Sequence, residues 1–246
     1  MAGAVEDSLF KFPRTRHLFD AGGSGVSRDD LLMDPSEEKR FYSTRQQQVL
    51  VALEEKVDGA NLGISIGHDM KVYVQNRSHY VNSKTHRQFS ALDGWLSEHS
   101  SSLYELLQPG KHVLFGEWLY AKHSIHYKEL PGYFLAFDMY DKETGQFYSR
   151  RERNRLLEST TNIPTVQLIK ETTLSGRDEV KKLLDTKSAF YDGPCEGLYL
   201  RIDHDMPGGP GQPYLSSRAK LVRPDFLQQI DEQWTRQQFT KNIVRF

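Results

Sequence analysis

The alternation of hydrophobic and polar positions predicts a chain of short strands separated by turns and helices. An apolar run at 49–53 and alternating apolar residues at 62–66 predict two strands joined by a tight turn as a hairpin. The same reasoning predicts further strands at 70–74, 112–127, 133–140, 165–169 and 193–201. Short strands mixed with helices are typical of an α+β fold rich in antiparallel sheet.

Helices are predicted where apolar residues recur every three or four positions. The predicted segments are 89–96, a separate short helix at 103–107, 179–184 and a closing amphipathic helix over 226–234. Ser149 and Glu152 have the spacing of a capping box that opens another helix through Leu157. The charged segment 29–40 is expected to include a short helix. Residues 1–9 are predicted to be a flexible terminus, and residues 10–246 to form one domain.

The composition is that of an ordinary globular protein. The chain has 246 residues, of which 37% are hydrophobic and 26% charged. No stretch reaches the roughly 20 apolar residues that a membrane span requires, and the small, acidic first residues do not resemble a signal peptide. Cys195 is the only cysteine, so an internal disulfide is excluded and a small buried residue is expected. We therefore expect an intracellular protein, cytoplasmic or nuclear, with no membrane partner.

The net charge of −1 provides no global attraction to a polyanion, so nucleic-acid binding would need a local basic face. The loop segment 10–18 has that character, because it carries Lys11, Arg14, Arg16 and His17. Two interpretations stay open: a solvated surface arm, or an arm that contacts phosphates.

Four short motifs follow one another along the chain. They are Lys56-x-Asp58-Gly59, Gly116-Glu117, Glu196-Gly197 and Arg218-x-Lys220, and the pairs Arg77-Ser78 and Phe137-Asp138 lie between them. A lysine at a turn beside a carboxylate and a glycine is well placed to meet a phosphate at a sheet edge. Each motif alone is weak evidence. The four motifs and two pairs in this order, with domain-scale spacing, are together strong evidence for a family relationship.

This order resembles the covalent nucleotidyltransferases, the superfamily of ATP- and NAD-dependent polynucleotide ligases and mRNA capping enzymes. Residues 11–18, 120–127 and 137–141 are similar to the nick-sealing RNA ligases within it. The resemblance extends over roughly residues 10–226. It implies an α+β fold with a single nucleotidyltransferase (adenylyltransferase) domain of antiparallel sheets flanked by helices.

The resemblance also implies catalytic roles. Lys56 is expected to accept AMP from ATP, with Asp58 beside it, while Arg218 and Lys220 neutralise charge on the phosphates. The family more usually has lysine where Arg218 stands, so this role is a departure that keeps the charge. Glu196 is expected to hold Mg²⁺ or Mn²⁺, since hard oxygen ligands suit these ions.

The remaining nucleotide contacts are likewise implied by the resemblance. They place Glu117 on the ribose, Phe137 against adenine, Glu55 and Asn61 beside the nucleotide, and Arg77 on the ribose or the nick terminus. The residues alone permit other interpretations. Phe137 lies in an apolar strand and could be core, Asp58 could be a turn residue, and Glu117 could be a surface acid at a strand end.

The expected function is ATP-dependent joining of RNA 3′-OH and 5′-phosphate ends, through a lysyl-AMP intermediate and an AMP-capped 5′ end. The expected partners are RNA ends, at nicks in duplex RNA or in an RNA/DNA hybrid. The residues expected to contact RNA are Arg14, Arg16, His17, Lys122 and His123. A zinc site at His123 and His126 is disfavoured, because the sequence offers no third ligand nearby.

Ligases and capping enzymes of this superfamily usually carry a second domain, often an OB-fold. The 55 residues before Lys56 and the 26 after Lys220 are expected to be too few for one. This disfavours a capping enzyme. Three interpretations stay open: the catalytic domain suffices, a partner protein supplies an accessory domain, or the sequence is a fragment. Two rival functions stay open: a minimal ATP-dependent DNA ligase, and a non-catalytic nucleotide-binding relative.

Overall fold

The computed structural model describes residues 9–22, 30–203, 217–226 and 239–245. The chain divides into two compact units. The Lys56 unit consists of the described residues within 13–58, 121–131 and 166–246, and the Glu117 unit of those within 1–12, 59–120 and 132–165. The division between Asp58 and Gly59 falls inside the first motif.

Nine strands and four α-helices are found in the described part of the chain. The strands are β1 (Leu50–Lys56), β2 (Ala60–Ile66), β3 (Val72–Gln75), β4 (His112–Trp118), β5 (Phe134–Asp141), β6 (Gln146–Phe147), β7 (Leu168–Thr173), β8 (Gly197–Arg201) and β9 (Arg218–Val222). The helices are α1 (Pro35–Glu38), α2 (Leu92–Leu106), α3 (Arg150–Thr160) and α4 (Arg177–Leu183). Two short 3₁₀ helices span Lys39–Phe41 and Arg87–Phe89.

The Lys56 unit is built on a four-stranded antiparallel sheet in the order β7-β1-β8-β9. Alternate residues of β1, β8 and β9, such as Leu53, Leu198 and Leu221, form one buried core that also includes Val180 of α4. The strand order places the end of β1 beside the start of β8, and β8 beside β9. The three motifs that carry Lys56, Glu196 and Lys220 therefore lie on adjacent strands.

The Glu117 unit is built on a five-stranded antiparallel sheet in the order β3-β2-β4-β5-β6. Its strands contribute buried residues such as Leu62, Leu114 and Phe134. Helix α3 begins where predicted, since the hydroxyl of Ser149 accepts a hydrogen bond from the amide of Glu152 at 3.2 Å. The predicted α+β class, with antiparallel sheets and flanking helices, is confirmed.

The predicted hairpin over 49–66 is wrong, although both strands exist. β1 pairs with β7 and β8, whereas β2 pairs with β3 and β4, so the two strands belong to different sheets. Both edges of each strand are already hydrogen-bonded to other partners. A short connection favours a hairpin, but those partners come from segments distant in sequence, which local patterning does not reveal.

The two helices predicted at 89–96 and 103–107 are one helix, α2, preceded by a 3₁₀ turn. The polar run Ser97–Ser102 hid this continuity. His99 lies four residues after Trp95 and four before Leu103, and all three are buried on one face of the helix. A buried histidine thus continues an apolar stripe.

The strand predicted over 112–127 ends at Trp118. The residues that follow are irregular, and their backbone groups bind side chains and distant loops. The amide of Ser124 donates to the Asp58 carboxylate, and the amide of Lys122 donates to the Thr240 carbonyl. Hydrophobic alternation continues through this segment without a sheet partner, which explains the overextended prediction.

The other predicted elements differ from the structure by a few residues, and β5 is found as expected. Most of the helix predicted at 226–234 lies outside the described residues, as does most of the 1–9 terminus. The part of the chain that the structure describes contains no helix with the length and apolar character of a membrane span.

Candidate active site

Lys56 and Glu196 form an ion pair, although 140 residues separate them in sequence. Lys56 is the last residue of β1, and its partner in the β8 register is Gly197, which directly follows Glu196. The Lys56 Nζ lies 2.6 Å from the Glu196 Oε1. The lysine side chain is 27% exposed and the glutamate 5%. The sheet thus presents a partly open amine beside a buried carboxylate.

Gly197 is required by close strand packing. A Cβ at this position would lie 2.3 Å from the Leu221 carbonyl oxygen of β9, which is too close for any side chain. Gly59 has a similar constraint, since a Cβ there would lie 2.6 Å from the Trp118 carbonyl oxygen. The glycines of the first and third motifs are therefore explained by backbone approach.

Asp58 fixes the chain that leaves β1. Its Oδ2 accepts hydrogen bonds from the amides of Ser124 at 2.7 Å and Ile125 at 3.3 Å. Its own amide donates to the Tyr127 hydroxyl at 2.8 Å. Burial, followed by the negative charges of Glu196 and Asp58, raises the pKa of Tyr127, so this group is a neutral phenol. These contacts favour the interpretation of Asp58 as a residue that shapes the turn.

Lys220 lies on β9 beside a buried histidine. Its Nζ is 3.0 Å from the Asp30 Oδ1, and the same oxygen lies 3.3 Å from the His17 Nε2. The backbone of residues 16–18 binds the edge of β9, because the Lys220 amide donates to the Arg16 carbonyl and the Leu18 amide donates to the Lys220 carbonyl. His17 is 2% exposed. The interpretation of this stretch as a solvated surface arm is therefore wrong at residues 16–18.

Burial, with the positive charge of Lys220 as the next cause, lowers the pKa of His17 to about 4. The imidazole is therefore neutral at pH 7 and adds no positive charge beside the lysine. This environment favours a structural role for His17 next to Lys220 over direct contact with RNA, which stays a prediction.

Arg218 is bound within the protein. One guanidinium nitrogen donates to the carbonyls of Ile202 and Ser217, and the other lies 3.0 Å from the Asp203 Oδ1. These acceptors compete with the phosphate contact that the sequence predicts for Arg218. Lys220 is the more open of the two cations, since its side chain is 22% exposed against 5% for Arg218.

A second buried arginine ties the strands of the Lys56 unit together. Arg201 of β8 is fully buried, and its Nη1 lies 3.0 Å from the Oε2 of Glu54 on β1. Its Nε lies 3.4 Å from the carboxylate of Asp203, which also binds Arg218 on β9. The network connects the three strands that carry Lys56, Glu196 and Lys220. This network could not be predicted, because an arginine at the end of an apolar strand gives no local signal of burial.

We expect Arg201→Met to lower the free energy of unfolding by about 3 kcal/mol, because the buried Glu54 carboxylate loses the guanidinium that pairs with it. Urea unfolding of the variant measures this loss. Arg155→Met is the matched control, since Arg155 pairs with Glu152 on the exposed face of α3 and should cost about 1 kcal/mol or less. Adding Glu54→Gln to Arg201→Met should recover part of the lost stability. A double variant less stable than both Arg201→Met and Glu54→Gln would contradict the explanation.

The Glu55 carboxylate binds a loop of the Lys56 unit. It accepts hydrogen bonds from the Ser188 hydroxyl and, at 2.9 Å, from the Ala189 amide. Burial raises the pKa of this carboxyl group. These hydrogen bonds show that the Glu55 side chain holds the 188–189 loop. The contact of Glu55 with a nucleotide stays a prediction.

The Glu117 unit holds four of the predicted nucleotide ligands. Asn61 of β2 and Glu117 of β4 are directly paired across the sheet. The Glu117 Oε1 accepts a hydrogen bond from the Gly59 amide at 3.2 Å. The Asn61 Oδ1 is buried without a hydrogen-bond partner among the described residues. A buried acceptor of this kind is suited to a ligand donor, and it favours a binding role for Asn61.

Phe137 occupies an irregular position in β5. The register skips it, since Phe115 pairs with Asp138 and Gly116 with Ala136. A bulge of this kind turns a side chain away from the regular pattern. The ring is half-buried and meets Phe12 edge-on at a centroid distance of 5.3 Å. Arg77 lies exposed in the turn after β3.

The remaining predicted RNA contacts have different environments. Arg14 is exposed, whereas Arg16 makes a two-pronged ion pair with Glu37 at 2.6 and 2.9 Å. Lys122 is half-buried, and the His123 Nδ1 lies 3.9 Å from the Asp58 Oδ1. The described residues include no group of three or more His, Cys, Asp or Glu that could hold a metal ion.

Cys195 is buried in the core of the Lys56 unit, as predicted. Burial raises the pKa of its thiol to about 11, which makes it a poor nucleophile at pH 7.

Comparisons with known proteins agree with this architecture. The structure of Naegleria gruberi RNA ligase with pyrophosphate (PPi) has a TM-score of 0.58 at 17% identity and covers 92% of this chain and 65% of that one. A variant of that ligase with ATP and Mn has a TM-score of 0.57 at 14% identity and covers 92% and 63%. A variant with AMP and Mn has a TM-score of 0.55 at 15% identity and covers 92% and 66%.

At these identities the likeness shows a shared fold. The chain spans less than two thirds of the length of these ligases. No curated protein sequence matches the chain significantly. The model of the RNA ligase family matches residues 49–222, which is well over half of the sequence and includes all four motifs. The chain therefore belongs to the RNA ligase family.

Proposed function

We propose that this protein is an ATP-dependent RNA ligase that joins 3′-OH and 5′-phosphate ends at nicks, with Lys56 as the residue that accepts AMP. The observation that carries the proposal is the Lys56–Glu196 contact of 2.6 Å at the end of β1, with Lys220 on the strand next to Glu196. An amine, a buried carboxylate and a second cation on adjacent strands are the groups that nucleotidyl transfer to lysine needs.

In the first step the Lys56 Nζ attacks the α-phosphorus of ATP. A P–N bond forms, the bond from that phosphorus to the bridging oxygen breaks, and pyrophosphate leaves. Lys220 supplies positive charge for the phosphates once its Nζ exchanges Asp30 for a phosphate oxygen. The 5′-phosphate of one strand then takes the AMP from Lys56 and breaks the P–N bond. Finally the 3′-OH of the other strand attacks the capped phosphate and AMP leaves.

Glu196 fits the role of ligand to Mg²⁺ or Mn²⁺. It offers a hard carboxylate oxygen next to the nucleophile, and one or two protein carboxylates are the usual number for Mg²⁺, which retains several of its waters. A divalent cation bound here supplies charge that favours the neutral amine and stabilises the leaving pyrophosphate. Glu196 thereby serves both as the partner of the Lys56 ammonium and as the metal ligand. The likeness to ligase structures with ATP and Mn supports this choice of nucleotide and metal.

The contacts of Asn61, Arg77, Glu117 and Phe137 with the nucleotide belong to the same proposal. The buried Asn61 Oδ1 and the bulged Phe137 are the observations that support them. Contacts of Arg14, Arg16, His17, Lys122 and His123 with RNA rest on the family resemblance.

The preference for RNA is tested with nicked duplexes that differ only in the strand ending in the 3′-OH. We expect nicks with an RNA 3′-OH strand to be sealed faster than all-DNA nicks, because recognition of RNA relies on its 2′-hydroxyl groups. Gel separation of labelled strands measures both rates with one enzyme preparation. Equal rates on the two substrates would favour the DNA ligase alternative. Covalent AMP without sealing of either nick would show that the chain needs a further component.

A further inference from the structure

Residues 120–127 are part of the family resemblance, yet the reaction steps above assign them no role. We propose that Tyr127 and Asn242 are positioning residues for the nucleophile and that they act on Lys56 through Asp58. The segment 239–245, which lies outside the residues matched by the family model, is on this proposal a structural part of the nucleophile site. The inference rests on the proposed function, because it takes Lys56 as the nucleophile.

Asp58 holds the chain just after the nucleophile. β1 ends at Lys56 and β2 begins at Ala60, so residues 57–59 lie outside both strands. The constraint comes instead from the Asp58 carboxylate and amide, which bind the amide of Ser124 and the hydroxyl of Tyr127 at 2.7 and 2.8 Å. The backbone at Lys56 is therefore held on one side by β1 and on the other by segment 121–131.

Tyr127 is held in place by aromatic neighbours. This residue is fully buried, and its ring meets those of Phe190 and Tyr191 nearly edge-on, at centroid distances of 6.4 and 5.8 Å. The ring cannot turn without displacing both neighbours. Its hydroxyl thus gives the Asp58 amide a fixed acceptor.

Tyr127 is bound to the last segment that the structure describes, residues 239–245. The Oδ1 of Asn242 accepts from the Tyr127 amide at 2.9 Å, and its Nδ2 donates to the Ala121 carbonyl at 3.2 Å. Asn242 is 2% exposed. The amide of Ile243 donates to the Tyr127 carbonyl at 3.0 Å, so both backbone groups of Tyr127 bind this segment. Nothing else among the described contacts holds the Tyr127 backbone.

The consequence concerns rate more than affinity. Attack on phosphorus needs the amine held in line at close range, and small displacements of a nucleophile are costly. Loss of the Tyr127 hydroxyl leaves the Asp58 amide without its acceptor and widens the range of positions of Lys56. The residues proposed to contact ATP lie outside this network, so the affinity for ATP should be little affected.

The test is single-turnover formation of covalent AMP at increasing ATP concentrations, for wild type, Tyr127→Phe, Asn242→Ala and the double variant. We expect each single variant to lose about tenfold in maximal rate, the equivalent of one buried hydrogen bond, with the apparent Kd for ATP unchanged. If Asn242 acts through Tyr127, the maximal rate of the double variant should be little lower than that of the slower single variant. Tyr42→Phe is the matched control, since it removes a hydroxyl that binds Glu38 in the same unit.

Thermal unfolding of each variant, with rates measured well below its transition, separates positioning from loss of folded protein. Wild-type rates in Tyr127→Phe would overturn the inference while leaving the proposed function intact. Equal rate losses in Tyr127→Phe and Tyr42→Phe would also overturn it, because a general loss of stability would then explain both. A wild-type protein that forms no covalent AMP would overturn the proposed function and, with it, this inference.

Discussion

Lys56→Arg protein is expected to form no covalent AMP when incubated with labelled ATP and Mg²⁺, while Lys187→Arg protein should be labelled like wild type. This is the largest effect that the site predicts, because it removes the nucleophile and keeps the charge. Arginine can still pair with Glu196, so the variant does not leave a buried carboxylate alone. Lys187 is a suitable control, since it forms an exposed ion pair with Asp192 in the same unit.

The physical reason is proton loss. Free lysine has a pKa of about 10.4 and can lose its proton in a suitable site, whereas the arginine guanidinium stays protonated in proteins. Only a neutral amine has the lone pair that attacks phosphorus. The two residues share length and charge closely enough that the comparison isolates this property.

The measurement is denaturing electrophoresis after incubation with α-labelled ATP, with NAD and GTP as comparison nucleotides. Bound AMP is first removed with pyrophosphate, which reverses the reaction. The adduct should be labile to acid, as a P–N bond is. Full labelling of Lys56→Arg would show that another residue accepts AMP. Absence of label in wild type after the pyrophosphate treatment would favour the non-catalytic nucleotide-binding alternative.

The sequence was a good guide to which motif residues lie together in the Lys56 unit and a poor guide to what surrounds them. The order of the motifs predicted Lys56, Glu196 and Lys220 as one site, and the β1-β8-β9 order brings them to adjacent strands. The pairing partners of β1 could not be predicted, because β7 and β8 lie more than 100 residues away and the short link to β2 imitates a hairpin. Local patterns carry no information on such pairings.

The partners of charged residues could not be predicted either. The family resemblance implies a phosphate contact for Arg218, and this contact stays a prediction, while Asp203 and two carbonyls bind its guanidinium. Asp30, which lies 3.0 Å from the Lys220 Nζ, was not singled out at all. A charge in a sequence has no visible partner, and the partner decides whether the side chain is available to a ligand.

Glu196→Gln is expected to slow covalent AMP formation by on the order of 10³-fold, comparable to the loss of a group that stabilises charge in the transition state. The direction of this effect distinguishes two roles. As the ion-pair partner of Lys56, Glu196 stabilises the ammonium form, so its neutralisation alone should favour the free amine and speed the attack. As the ligand of a divalent cation, it supports the reaction, so its neutralisation should slow it. We expect the second role to dominate, because glutamine is a weak ligand for Mg²⁺.

Rates measured over a range of Mg²⁺ and Mn²⁺ concentrations separate the two roles further. If Glu196 holds the metal, Glu196→Gln should need more of either ion to reach half of its maximal rate. Glu38→Gln is the matched control, because Glu38 is a buried carboxylate of the same unit whose partner is Arg177 at 2.5 Å. A faster Glu196→Gln enzyme with an unchanged metal requirement would restrict Glu196 to the ion pair. The metal would then have to be held by the ATP phosphates and water, since the described residues offer no cluster of ligands in its place.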